Sequence, residues 1–210
     1  MPQRIAEVRR LLDRYIVEVV EAYDLCPWAR AARTGGEIGV EVLWGQPALE
    51  DWLAAAARAF ASPRVRLGML VAPELAATPA ELRAMRDRIT AVRPGVGIAE
   101  FHPDAAIDLG SPARLVPFLR RSPDPLLQLV PLALLDSVRG APPAVDRIAQ
   151  AQILGGLASA PRGDVADSIA AANHARVAVE RAAVEAVLED IAADRRRSYA
   201  QAGIAISTSR

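Results

Sequence analysis

The sequence predicts an α/β protein: a small, largely parallel or mixed sheet of three to four strands, layered by helices, with a helical C-terminal half. Three observations predict it. Strand-like and helix-like segments alternate over the first hundred residues. Their boundaries carry turn and cap residues. A long segment near the end repeats its apolar residues at helical spacing.

Residues 3 to 23 read as a helix, with Ile5, Val8, Leu11, Leu12, Tyr15, Val19 and Tyr23 at three- and four-residue steps. Asp24 is then placed to cap a second, short helix holding Pro27 in its first turn. "GGEIGVEVLWG" (35–45) alternates Ile38, Val40, Val42 and Trp44 and reads as a strand. "PALEDWLAAAARAFA" is a helix, and "RVRLGMLVAP" is a second strand ending at Pro73. In "TPAELRAMRDRITAV", Thr78, Pro79 and Glu81 form a capping-box signature. "GVGIAEFHP" is the third strand. Residues 103–125 carry Pro103, Pro112, Pro117, Pro123 and Pro125, which favours loop with short helical turns. Residues 126–139 and 144–157 read as helices, "APRG" (160–163) as a linker, and the tail from Tyr199 as frayed. Residues 164–197 read as one helix with Ile169, Val177, Val184, Leu188 and Ile191 on a stripe. The expected organisation is an α/β domain over 1–158 and a long helix with its tail over 159–210. That helix can pack on the same domain or on a second copy, as in a homodimer.

Charge is balanced at 25 positive and 25 negative side chains, so nothing here points to nucleic acid or a membrane surface. Every positive side chain is Arg, the planar fork suited to carboxylates and phosphates. One Cys excludes an internal disulfide framework. The charged, amphipathic start does not resemble a secretory signal, and no apolar run is long enough for a membrane span. The expectation is a cytoplasmic protein.

Cys26 stands out in "DLCPWARAAR". A thiolate is stabilised at a helix start, where Asp24 as cap would place it, and Arg30 and Arg33 could add positive potential. Asp24 opposes that shift. The competing reading is a packed thiol among Leu25, Pro27 and Trp28. "EFHPD" (100–104) places His102 at a strand end, where a general base would sit, with Asp104 or Asp108 to orient its ring. The alternative is a turn histidine held at the Pro103 corner. In "RRSPDP", Arg120 and Arg121 lie in a loop stiffened by Pro123 and Pro125, with Ser122 as a local cap or substrate contact. A metal site from Cys26, His102, Asp104 and Asp108, or a Cys-Pro haem ligand, matches no recognised spacing. His174 reads as a core or interface histidine.

Cys-Pro-aromatic-Ala after a first helix, Phe-His-Pro after a third strand and Arg-Ser-Pro-x-Pro before an apolar segment together resemble an uncharacterised bacterial family, domain of unknown function 1415. The resemblance spans roughly residues 10 to 153. It implies Cys26, Pro27, His102, Pro103, Arg121, Ser122, Pro123 and Pro125 as motif positions. The chain departs from the family pattern at Asp24 and Arg120 (Asn in the family), at Gln128 (His), at Pro131 (Arg) and at Ala72 (His). No activity and no cofactor follow from the resemblance. The residues themselves point to a small-molecule enzyme with a Cys26–His102 centre and Arg121, Arg120, Ser122 and Asp104 on the substrate. The alternatives are a non-catalytic binding or interaction module with a structural Cys26, or a Cys/His metal or haem binder.

Overall fold

The computed structural model describes residues 1–134 and 165–206. The expected helix 144–157 and linker 160–163 lie outside these residues. Helix α1 (Pro2–Tyr15) runs without a break into a π-helical segment, Ile16–Glu21. Then follow α2 (Ala29–Thr34), β1 (Ile38–Val42), α3 (Leu49–Ala59), β2 (Leu67–Val71), α4 (Pro79–Val92) and β3 (Val96–Phe101). After them come α5 (Pro112–Leu119), β4 (Leu126–Pro131) and the long helix α6 (Val165–Ala202). No described helix is long and apolar enough to cross a membrane.

The sheet is mixed, in the order β1-β2-β4-β3. β1 and β2 are parallel, and β4 runs antiparallel to both β2 and β3. The expected helix at 126–139 is therefore corrected: its first residues are the inner strand. "LLQLV" is apolar apart from Gln128, and such a run suits a strand buried on both faces as well as a helix. Leu126 joins the core beside α1, while Leu127 and Leu129 join the core under α3 and α4. A strand that buries both faces belongs inside the sheet.

Two helical layers cover the sheet. On one face α1, α5 and α6 enclose Val40, Met69, Val71 and Leu126. On the other α3 and α4 enclose Leu70, Leu127 and Leu129 around Trp52 and Ile89. Thr78 and Glu81 form the expected capping box of α4. The end of α3 sits close to the sheet because Gly39 and Gly68 are paired across β1 and β2. A Cβ on Gly39 would lie 2.1 Å from the Ala59 carbonyl oxygen, and one on Gly68 would lie 3.0 Å from the Phe60 ring.

α6 docks along α1. Val177, Val184 and Ile191 are buried at seven-residue steps, with Leu188 partly buried beside them. Ile169, at the start of the expected stripe, is only half-buried. The stripe thus serves this chain's own core. The frayed tail is also corrected: α6 continues to Ala202, and Tyr199 and Ile204 are buried. Ion pairs flank the seam. Arg10 and Arg14 each reach the Asp194 carboxylate at 2.7 Å. Arg14 also holds Glu18 and Asp190.

Gly39→Ala should lower stability by about 1–3 kcal/mol, because the clash is with backbone that cannot rotate away. Urea unfolding measures it. Arg10 first, and then Arg14, hold the Asp194 carboxyl down at about 2. A depressed carboxyl contributes stability above its ordinary value, and that contribution is lost as pH falls through the folded-state value. The melting temperature should therefore drop between pH about 4 and about 2, and Asp194→Asn should flatten part of that drop.

Candidate functional site

The Cys26 corner is built by the end of the first helix. Asp24 has φ 49°, in the left-handed region. The Asp24 N–H donates to Glu21 O (3.2 Å) and the Leu25 N–H to Val20 O (2.8 Å). These two bonds define a Schellman C-cap, with Leu25 folding back onto the apolar cluster that holds Val19 and Val20. Asp24 is thus the residue after a helix and not the cap before one. α2 starts later, at Ala29. Asp and Asn tolerate the left-handed conformation best after Gly, which is a physical reason for either at this position.

Cys26 is half-buried. Burial pushes its thiol up from the ordinary value and Asp24 adds to the rise, while the Trp28 and Ala29 N–H groups pull the other way. Arg30 and Arg33, expected to favour the thiolate, instead face Glu21, at 3.4 and 2.6 Å. Tyr15, in the helix that ends at this corner, is buried. Its hydroxyl donates to Leu119 O at 2.9 Å.

His102 is buried just past β3. Nδ1 accepts from the Asp104 N–H at 3.0 Å, and Nε2 lies 2.8 Å from Ala77 O. A carbonyl only accepts and an N–H only donates, so the ring is the neutral Nε2–H tautomer with both nitrogens engaged. The Asp104 carboxylate stands 4.0 Å from Nδ1. Asp108 turns away to the Gly110 N–H and to Arg114. No hydrogen bond joins Cys26 to His102 among the described residues. The two loops do meet through the chain: His102 N–H donates to Arg120 O (3.0 Å), one residue from the carbonyl that holds Tyr15. No group of three metal-ligating side chains occurs among the described residues, so Cys26, His102, Asp104 and Asp108 do not form one.

Arg120 lies over the Phe101 ring and 3.8 Å from Glu100, which already binds Arg83 and Arg86. Burial pushes the Arg120 guanidinium below its ordinary value, and the neighbouring Arg86 and Arg83 charges add to that. Arg121 lies over Phe118, and its Nε is buried with no hydrogen-bond partner among the described residues. Two open surface grooves lie elsewhere. One, of about 290 Å³, is walled by Glu7, Arg10, Asp194 and Arg197; the other, of about 230 Å³, by Val42, Trp44, Asp51 and Arg58.

The rest of "RRSPDP" is a socket for α6. Ser122 and Asp124 are each 2% exposed. Ser122 Oγ donates to Asp124 O at 2.6 Å, so its role is local. Asp124 accepts from Arg195 Nε (2.7 Å) and from the Tyr199 hydroxyl (2.5 Å). Arg195 Nη2 also donates to Pro73 O, 3.1 Å away, and the Ala72 N–H donates to Pro125 O. Burial pushes the Asp124 carboxyl up, against the pull of Arg195 and Tyr199. α6 also reaches the Cys26 corner. Asn173 donates to Leu25 O at 2.9 Å and Arg176 to Tyr23 O at 2.7 Å. His174 binds Leu109 O. Asp124, Asn173, Arg176, Arg195 and Tyr199 escape a motif search, because each partner lies far away in the chain. The local signal available was a carboxylate in a Pro-rigid apolar segment and an Arg and a Tyr four residues apart.

Comparison with family models, with curated proteins and with solved structures returned no match.

Asp124→Ala should cost about 3–5 kcal/mol, because it strands the Arg195 charge in the core. Tyr199→Phe should cost about 1.5–3 kcal/mol, the range for a hydrogen bond to a charged group. Replacing Asp124 and Arg195 together by Leu should recover much of the first loss in urea titrations.

Proposed function

We propose that this chain is a non-catalytic α/β binding module that takes a small anion at Arg120 and Arg121, with Cys26 in a structural role. One observation carries the reading. These two guanidiniums, adjacent on a rigid loop and each set over an aromatic ring, make no side-chain hydrogen bond among the described residues. Arg14, Arg33, Arg86 and Arg195 all do. A half-buried guanidinium with unused donors is a carboxylate or phosphate receptor waiting for its acceptor. The resemblance to family 1415 belongs to the same proposal, since Arg121 is one of its motif positions.

The raised thiol and the doubly engaged imidazole argue against a Cys26–His102 nucleophile and base. An enzyme built on them would first have to free the ring from Ala77 O or from the Asp104 N–H.

Calorimetric titration with inorganic phosphate and with succinate tests the reading. Binding that weakens about tenfold or more in Arg121→Ala, and falls with added salt, is the expected result for loss of a charge-assisted contact. Absence of binding at millimolar anion, or equal binding by the wild type and by both Arg→Ala variants, would overturn it. Alkylation of Cys26 with a midpoint below the ordinary thiol value of about 8.5 would return the enzyme reading to the front.

A further inference from the structure

We infer that the amino-terminal half of α6 is a strap that opens by itself, releasing the Cys26 corner and the loop that leads into α5 and on to Arg120 and Arg121, while the carboxyl-terminal half stays docked. What the strap covers rests on the anion-site reading; the opening itself does not.

The two halves of α6 are held by different forces. From Ile169 to Ala183 the only buried apolar side chain is Val177. Ala171, Ala172, Ala175, Ala178, Ala182 and Ala183 are exposed, and Val179 is 84% exposed. What holds this half is polar: Asn173 and Arg176 on the carbonyls of Leu25 and Tyr23, Arg176 beside Asp24 at 3.5 Å, and His174 on Leu109 O. From Val184 onward, Val184, Ile191, Tyr199 and Ile204 are buried. That half adds the Arg195–Asp124 pair and the Asp194 ion pairs to α1. Local opening is easiest where few apolar contacts are lost and where water can replace the hydrogen bonds. Water can replace bonds to three loop carbonyls, but it cannot neutralise a sealed carboxylate. The Ala-rich strap keeps a high helix propensity once undocked, so opening separates the helix from the body without melting it.

The strap joins the two loops that matter. Tyr23 and Leu25 lead into Cys26. Leu109 leads into the Ser111 cap of α5, whose last turn is followed directly by Arg120 and Arg121. Releasing Asn173, His174 and Arg176 frees the Cys26 corner and the Leu109 end of the loop before α5 together, while His102 and Tyr15 keep their hold on the Arg120 and Leu119 carbonyls.

The test uses the full chain and its single Cys. Iodoacetamide labelling of Cys26 is followed at fixed pH through urea well below the unfolding midpoint, beside amide exchange of α6 by mass spectrometry. Labelling that hardly responds to urea, and amides of 169–183 that exchange faster than those of 184–202, are expected. Asn173→Ala and Arg176→Ala should each raise the labelling rate about tenfold, the size of one net hydrogen bond, and Tyr199→Phe should leave it unchanged. Labelling with the urea dependence of global unfolding would overturn the strap, as would a Tyr199→Phe rate as high as that of Asn173→Ala. Phosphate that slows labelling supports a strap coupled to the anion site through α5. A chain that binds no phosphate, yet still shows the two-speed exchange and the Asn173→Ala effect, would remove the anion reading and leave the strap standing.

Discussion

The Asp124 carboxylate constrains everything around it. It is 2% exposed, and it lies at the threshold of β4, the strand that runs between β2 and β3. A charge sealed from water is tolerated only when it is paired and its remaining lone pairs are occupied. Both partners, Arg195 and Tyr199, come from the last helix. The sheet and α6 are therefore not independent purchases of stability. The inner strand cannot start where it does unless α6 supplies its cation there. Arg195 extends the tie to Pro73 O at the end of β2, and Ala72 N–H closes it through Pro125 O. One carboxylate thus fixes the helix register, the strand start and the loop after β2.

The same helix satisfies the other motif. The left-handed residue Asp24 ends the first helix and turns the Tyr23 and Leu25 carbonyls outward, where Arg176 and Asn173 meet them. Asn173 and Arg195, the buried polar positions on the α6 seam, both answer polar groups on the body. The apolar positions between them, Val177, Val184 and Ile191, supply hydrophobic burial without choosing a register. Polar pairs choose it, since a slip of one residue would leave a carbonyl and a carboxylate unanswered.

Legibility in the sequence followed the range of the interaction. The α4 cap was legible because Thr78, Pro79 and Glu81 are neighbours and their bonds are local. The stripe Val177, Val184 and Ile191 was legible because helical periodicity is written within one segment. β4 was not, because an apolar run without period looks the same in a helix and in an inner strand, and only the sheet order decides. Asp24 is ambiguous in the sequence because Asp serves both as an N-cap and as a left-handed C-cap residue, and the choice depends on where the preceding helix stops. Tyr199 was assigned to a loose tail because its partner Asp124 lies 75 residues away. Of the candidate site, the corners were legible as turns, and the bonds that Cys26, His102, Ser122 and Asp124 make or lack there were not.

That gap has a physical basis. His, Ser, Asp and Cys suggest chemistry because they donate, accept or attack, and those same capacities satisfy backbone groups at corners. In this chain the His102 ring, the Ser122 hydroxyl and the Asp108 carboxylate all bind main-chain groups next to Pro or Gly. Such positions leave peptide groups without sheet or helix partners, so a short polar side chain is needed there whether or not a reaction occurs. A side chain whose capacity is already used needs a second event before it can act on a ligand. Arg120 and Arg121 differ because a guanidinium has five donors and no acceptor, and the carboxylate beside Arg120, Glu100 at 3.8 Å, is already hydrogen-bonded by two other arginines. Unused donor capacity beside aromatic rings is therefore the better pointer to a ligand in this fold than the reactive residue types themselves.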